Sequence, residues 1–297
     1  MEDSTKLGNP RRVQLPYGKV KKMEIRHDDL FLISYPKSGT HWLMRIITLI
    51  LNGSDFDADC RHASAVPSLV EMLLSQEGDD PGMLMAKKNR GLPMDFSPNS
   101  MESPRFLTTH APYDLLPTQF HEKRPKLIYI ARNPKDLVVS AFSHFSIRSR
   151  HIYDEFSELL EEFLAGQAIA NFGHWGSHVL DWWKRRHEHN VLYVKYEDMR
   201  KDLKAGIKNI AEFIGKGLTP EDVDKIAHHC SFEYMKNAPQ GDTFMKAMGW
   251  KENPFVRRGK VGEWKETFIV AQNEMMDKYC EQWLKGTGLE FEMGRSK

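Results

Sequence analysis

The sequence predicts an α/β fold, a single domain whose central, mostly parallel sheet is flanked by helices. Three observations carry that expectation. Short apolar runs rich in β-branched and aromatic residues recur along the chain. Segments with apolar residues three and four apart separate most of these runs. The runs are apolar throughout instead of alternating, as strands covered on both faces must be. A length of 297 residues suits one large domain. The expected unit is residues 1–297, with residues 1–20 as an extended N-terminal segment.

Four runs read as strands: DLFLISYP (Asp29 to Pro36), RFLTTH (Arg105 to His110), KLIYIARNP (Lys126 to Pro134) and VLYVKYED (Val191 to Asp198). THWLMRIITLIL, PKDLVVSAFSHF, EFSELLEEFLAGQ, WGSHVLDWWKRR and LKAGIKNIAEFIG read as helices. The most apolar stretch, WLMRIITLILNG, is interrupted by Arg45 and Thr48 and is too short for a bilayer, so a buried helix is expected. Two segments carry Gly, Pro, Asn and Ser without a period, residues 86–106 and 237–264. Loops of that length in a compact domain act as lids or binding loops.

Composition narrows the function. Lys and Arg total 42 against 41 for Asp and Glu, which argues against a nucleic-acid coat and requires any basic site to be local. The start, MEDSTKLGNPRRVQ, has no apolar signal core. Cys60, Cys230 and Cys280 lie far apart and form neither a disulfide framework nor a zinc spacing. His228 and His229 are adjacent but lack a second ligand cluster. The expectation is a cytoplasmic protein with no membrane span, no nucleic-acid partner and no metal.

Ligands of parallel sheets bind beyond the carboxyl ends of the strands. The four runs end on Lys37, His110, Arg132 and Tyr196, two fixed cations, one base and one aromatic hydroxyl. After the first run, SYPKSGTHW leads into a helix. Helix N-termini present unpaired N–H groups and partial positive charge; Lys37 adds a point charge, Gly39 permits close backbone approach, and Ser38 and Thr40 add hydroxyls. A Walker loop would place its lysine after the second glycine, whereas Lys37 precedes Gly39. LIYIARN likewise ends on Arg132 where a magnesium-binding carboxylate would stand. The pattern suits an anion neutralised by protein cations.

Six separated motifs, YPKSGTHW, THAPYDLLP, RNPKDLVVS, YEDM, CSFEYMK and FVRRGKVGEWK, together resemble the cytosolic sulfotransferases. Those enzymes move a sulfuryl group from 3′-phosphoadenosine 5′-phosphosulfate (PAPS) to a hydroxyl or amine. The resemblance implies that the first loop is a P-loop-like phosphosulfate-binding loop, with Lys37 at the transferring group. Ser38, Gly39, Thr40, His41 and Trp42 would hold the 5′-phosphate, Trp42 near the adenine. Arg132 and Ser140 would take the 3′-phosphate. Tyr196, Cys230 and Phe232 would lie at the adenine, and Phe255, Val256, Arg257, Arg258 and Gly259 would close over the nucleotide. His110 would be the general base.

The same resemblance implies a small hydrophobic acceptor such as a phenol, alcohol or steroid, with Thr108, His110 and Phe142 at its site and Phe96, Phe106 and Met248 as further walls. It also implies a homodimer through KETFIVAQNE, Lys265 to Glu274, in which Ile269 replaces the usual threonine. His41 and Cys230 depart from the family pattern too. Two other readings stand beside this one: a nucleoside-type kinase built on the same sheet, and a non-catalytic module that binds the desulfated nucleotide.

Overall fold

A computed structural model of the chain describes residues 16–53, 68–76, 81–89, 91–149, 152–167, 172–237 and 258–294. A short helix α1 (Tyr17–Val20) precedes β1 (Leu30–Ser34) and α2 (Thr40–Leu51). Next come β2 (Ser68–Leu69), α3 (Val70–Leu73), α4 (Pro81–Asn89), β3 (Phe106–Thr109), α5 (Thr118–Lys123) and β4 (Lys126–Ala131). The chain continues with α6 (Pro134–Phe142), α7 (Phe156–Leu164), α8 (Trp175–Lys184), β5 (Val191–Lys195) and α9 (Tyr196–Lys201). It closes with α10 (Leu203–Ile214), α11 (Pro220–His229), α12 (Phe232–Lys236) and α13 (Val270–Leu284).

The strands form one five-stranded sheet in the order β2-β3-β1-β4-β5. Every pair is parallel. Leu30 and Leu32 face a core shared with α2, α10 and α11, whereas Phe31 and Ile33 face one built with α7, α8 and α13. Alternation along the strand thus delivers apolar groups to two layers, which is why β1 has no exposed residue. β2 and β3 lie on one side of β1 and β4 and β5 on the other. This reversal opens a crevice at the carboxyl ends of β1, β3 and β4.

Local chemistry sets the helix ends. Asn133 caps α6 by accepting from the Asp136 N–H at 2.8 Å, with Pro134 as its first residue. Thr219 and Asp222 form a capping box on α11. Gly215, in the left-handed region, ends α10. Two expectations change. The irregular segment expected from residue 86 begins inside α4, and PKDLVVSAFSHF leaves the α-helix at Phe142 for a π-helical stretch, Ser143–Ser149. Residues 238–257 of the second expected loop lie outside the described residues.

At the amino end of the sheet, Arg105 and Asp29 form an ion pair with both side chains fully buried, through Nε to Oδ1 at 2.7 Å and Nη2 to Oδ2 at 2.5 Å. Arg105 also donates to the Pro98 and Glu24 carbonyls. Every described hydrogen bond of this guanidinium ties the N-terminal segment or the 98–100 turn to β3. Arg105→Met leaves Asp29 buried without its counter-charge and is expected to lower stability by about 3–5 kcal/mol, read as the urea midpoint at pH 7. An unchanged midpoint would show that the pair is dispensable.

Candidate active site

The turn from β1 into α2 has two residues in the left-handed region, Lys37 at φ 69° and Gly39 at φ 104°. Such a backbone turns successive N–H groups inward as an anion-binding concavity. Gly39 is the N-cap of α2 and brings no side chain to cap it. A Cβ there would meet Tyr196 Cδ2 at 2.8 Å, so the glycine is required twice, by its φ and by the ring beside it. Ser34 and Thr40 hydroxyls bond across the turn at 2.7 Å.

Arg132, at the end of β4, donates from Nη1 to the Lys37 carbonyl at 3.2 Å and lies with Cζ 4.4 Å from the centroid of the Tyr196 ring. Tyr196 also meets Trp42 edge-on at 5.3 Å. The Trp42 indole donates to the Cys230 carbonyl at 2.8 Å. One cradle therefore gathers Lys37, Ser38, Gly39, Thr40, Trp42, Arg132, Tyr196 and the backbone of Cys230. Two polar atoms in it, Ser38 Oγ and Arg132 Nε, are buried without a hydrogen-bond partner. Unsatisfied donors at this depth are costly unless a ligand completes them.

Phe232 and Gly259 also meet. A Cβ on Gly259, whose φ is 63°, would stand 2.5 Å from the Phe232 ring. Arg258 pairs instead with Glu266 at the surface. Ser140 and His41 are half-buried. Cys230 is fully buried in the core under α2, so its carbonyl is the part facing Trp42. Phe255, Val256, Arg257 and Met248 lie outside the described residues.

His110 follows β3. Its Nδ1 lies 2.8 Å from the Ser34 carbonyl and 3.2 Å from the Ser34 hydroxyl. A carbonyl only accepts, so Nδ1 carries the proton and Nε2 keeps its lone pair. Burial is the main cause that lowers the His110 pKa from 6.5 to about 4; the Ser34 bond opposes it and the Lys37 charge adds to it. The ring is therefore neutral near pH 7. Phe172 packs edge-on against it at 5.5 Å.

Thr108, Phe106 and Phe142, expected at the acceptor site, are all packed against other residues in the chain alone. Thr108 is buried within β3 opposite Leu32, on the side of Phe106, which itself lies in the α2 core at the strand's amino end. Phe142 turns its edge onto Phe156 at 5.5 Å. Phe96 is half-buried against the opposite core.

Several residues around the site carry no sequence signal that singles them out. Glu71 accepts the Thr109 hydroxyl and the His110 N–H. His178 lies between the Tyr129 hydroxyl, 2.8 Å from Nδ1, and the His110 carbonyl, 3.1 Å from Nε2. The carbonyl fixes Nε2 as the donor, so Nδ1 accepts from Tyr129. Glu197 accepts from the Asn133 N–H and side chain, and burial raises its pKa to about 7. Asp136 accepts the N–H groups of Gly262 and Trp264, tying α6 to the segment after Gly259.

Among the described residues no helix is long and apolar enough to cross a membrane. Residues 27–288 match the family model described as the Sulfotransferase domain. The mouse protein Sulfotransferase 1B1 is 37% identical over 284 residues, 93% of this chain and 89% of that one. Among solved structures, mouse sulfotransferase SULT7A1 complexed with PAP is 30% identical, with TM-score 0.67, covering 92% of this chain and 90% of that one. Retinol dehydratase in complex with androsterone and inactive cofactor PAP is 26% identical, with TM-score 0.74, covering 95% and 90%.

Burial lowers the His178 pKa from 6.5 to about 4. A histidine shifted down on folding binds its proton preferentially in the unfolded chain. Its stabilising effect is therefore complete above pH 6.5 and is lost as the pH falls toward 4. Acidification across that window is expected to cost up to about 3 kcal/mol through this group, read from urea midpoints. His178→Gln should flatten that slope; an identical slope in the variant would place the loss elsewhere.

Proposed function

The chain belongs to the sulfotransferase-domain family, and from that premise we propose that it transfers a sulfuryl group from PAPS to the hydroxyl of a small hydrophobic acceptor. The arrangement that carries this reading is a neutral His110, its Nδ1 committed to Ser34, on the strand end beside the one that carries Lys37. The orphaned Ser38 Oγ and Arg132 Nε are donors that fit a polyanionic nucleotide. Solved relatives hold PAP. Bound in this cradle, PAPS supplies a sulfuryl group already activated by a phosphate leaving group.

The chain's own residues supply the rest. His110 Nε2 takes the acceptor's proton as the new oxygen–sulfur bond forms and the bond to the phosphate breaks. Lys37 offsets the charge that builds on the phosphate side, as the left-handed turn and the start of α2 do for the 5′-phosphate. Arg132 and Ser140, with Arg257, Arg258 and Gly259, take the 3′-phosphate; Trp42, Tyr196 and Phe232 enclose the adenine. Phe172, held beside His110, gives the acceptor an apolar wall. A relative solved with androsterone supports a steroid-like or other hydrophobic alcohol.

His110→Ala is expected to reduce transfer by at least about 100-fold while PAP affinity stays within twofold, measured with labelled sulfate and by calorimetry. Arg132→Ala should do the reverse, weakening PAP binding before kcat falls. Full turnover in His110→Ala would remove the base from the mechanism.

The reading extends to a cytoplasmic homodimer. Ile269 and Val270, at the start of α13, are 64% and 76% exposed in the chain alone. Adjacent exposed apolar residues suit a contact between copies, continuing the expectation for Lys265 to Glu274. Val270→Glu should convert a dimer to a monomer by sedimentation. A native chain that sediments as a monomer would refute it.

A further inference from the structure

Ser34, His178 and Glu71 hold His110, and the last two have no part in the reaction as described. The ring is tied through Nδ1 to Ser34, and the carbonyl accepts from His178. The backbone N–H donates to Glu71 Oε1 at 3.0 Å. That same oxygen accepts the Thr109 hydroxyl at 2.6 Å, and the hydroxyl accepts the Ala111 N–H at 3.0 Å. One carboxylate oxygen therefore fixes the main chain on both sides of the imidazole.

We propose that Glu71 is a positioning residue for the His110 base, its buried carboxyl holding residues 109–111 so that Nε2 faces the acceptor hydroxyl. This rests on the reading of His110 as the base.

Burying a carboxyl fully is unfavourable, and burial raises the Glu71 pKa; both donors fall on Oε1, while Oε2 is buried without a hydrogen-bond partner. Glu71 sits on α3, which has only four residues and cannot hold itself. An unusual cation anchors it. The Lys87 ammonium is buried and donates to the carbonyls of Leu73 at 2.8 Å and Ser75 at 3.2 Å, at the end of α3. It also reaches those of Met94 at 2.8 Å and Phe96 at 3.0 Å. A positive charge at a helix C-terminus is favourable, and here it also locks the turn that carries Glu71. The Ser75 hydroxyl adds a bond to the Glu71 carbonyl at 2.7 Å.

Position and titration are linked at this site. The titratable groups that act on His110 among the described residues are Lys37 after β1, through its charge, and His178 on α8 and Glu71 on α3, through bonds to its main chain. Loosening residues 109–111 admits water to the ring and returns its pKa toward 6.5 from about 4. Because catalysis needs the neutral ring, the acid limb of the kcat profile should move to higher pH. A purely structural role for Glu71 would lower the melting temperature and leave that limb in place.

The test compares Glu71→Met, Glu71→Gln and His110→Ala in the full chain, with PAP affinity by calorimetry and kcat from pH 4 to 8. Glu71→Met should lose roughly 10- to 100-fold in kcat, keep PAP affinity within about twofold and shift the acid limb upward. Glu71→Gln keeps an acceptor oxygen and should stay within about threefold of the native kcat. If Glu71→Met does not fold, Thr109→Val removes one of the two donors and should give a smaller loss with the same shift. Native kcat and an unmoved limb in the folded variant overturn the proposal. Loss of His110→Ala activity alongside an unaffected Glu71→Met would overturn positioning alone; a fully active His110→Ala would overturn the base reading instead.

Discussion

Between the end of β1 and the start of α2 the backbone enters the left-handed region twice, at Lys37 and at Gly39. The site is arranged around that turn. A non-glycine residue held at positive φ costs on the order of 1 kcal/mol or more, and surrounding contacts must keep it there. Arg132 supplies one by donating to the Lys37 carbonyl. Gly39 makes the second reversal without a Cβ, and the space it leaves is filled by Tyr196. Tyr196 then meets both Arg132 and Trp42. A side chain at residue 39 would displace the ring that orders the rest.

The sheet brings the other groups to this turn. β1 lies between β3 and β4 in parallel register, so the residues following all three strands emerge on one rim. Lys37, His110 and Arg132 come from points separated by long stretches of chain. Their proximity follows from pairing, and the pairing follows from apolar strands that bury both faces. Helix ends add precision. Asn133 caps α6 and also bonds Glu197, while Asp136 in the first turn of α6 accepts two N–H groups from the segment beyond Gly259.

Much of this was legible because its signals are local. The strand runs are found within a few residues of where the sequence places them, and THWLMRIITLIL is a helix from its first residue to its last. β2 has two residues at the edge of the sheet and offers no periodicity to recognise. Thr108 stands next to a motif in sequence, yet strand alternation puts it on the side of Leu32 and Phe106, toward the core under α2. Glu71 and His178 were invisible because their partners are 39 and 68 residues away. A lone Glu on a short helix and a His within WGSHVLDWW look like solvated side chains until the fold surrounds them.

Burial and a neighbouring charge together set the proton affinity of His110, the proposed base. A base with a pKa of about 4 is neutral at pH 7 but draws a proton only weakly from an alcohol. Burial provides most of that depression and the nearby Lys37 charge adds to it. An anion paired with Lys37 would offset only that smaller contribution and leave burial, the main cause, in place. Burial would still exclude water from the ring. In the proposed mechanism the lysine ahead of the glycine in SYPKSGTHW would meet the anion at the strand end, while its charge, a smaller influence than burial, also bears on the imidazole that follows β3.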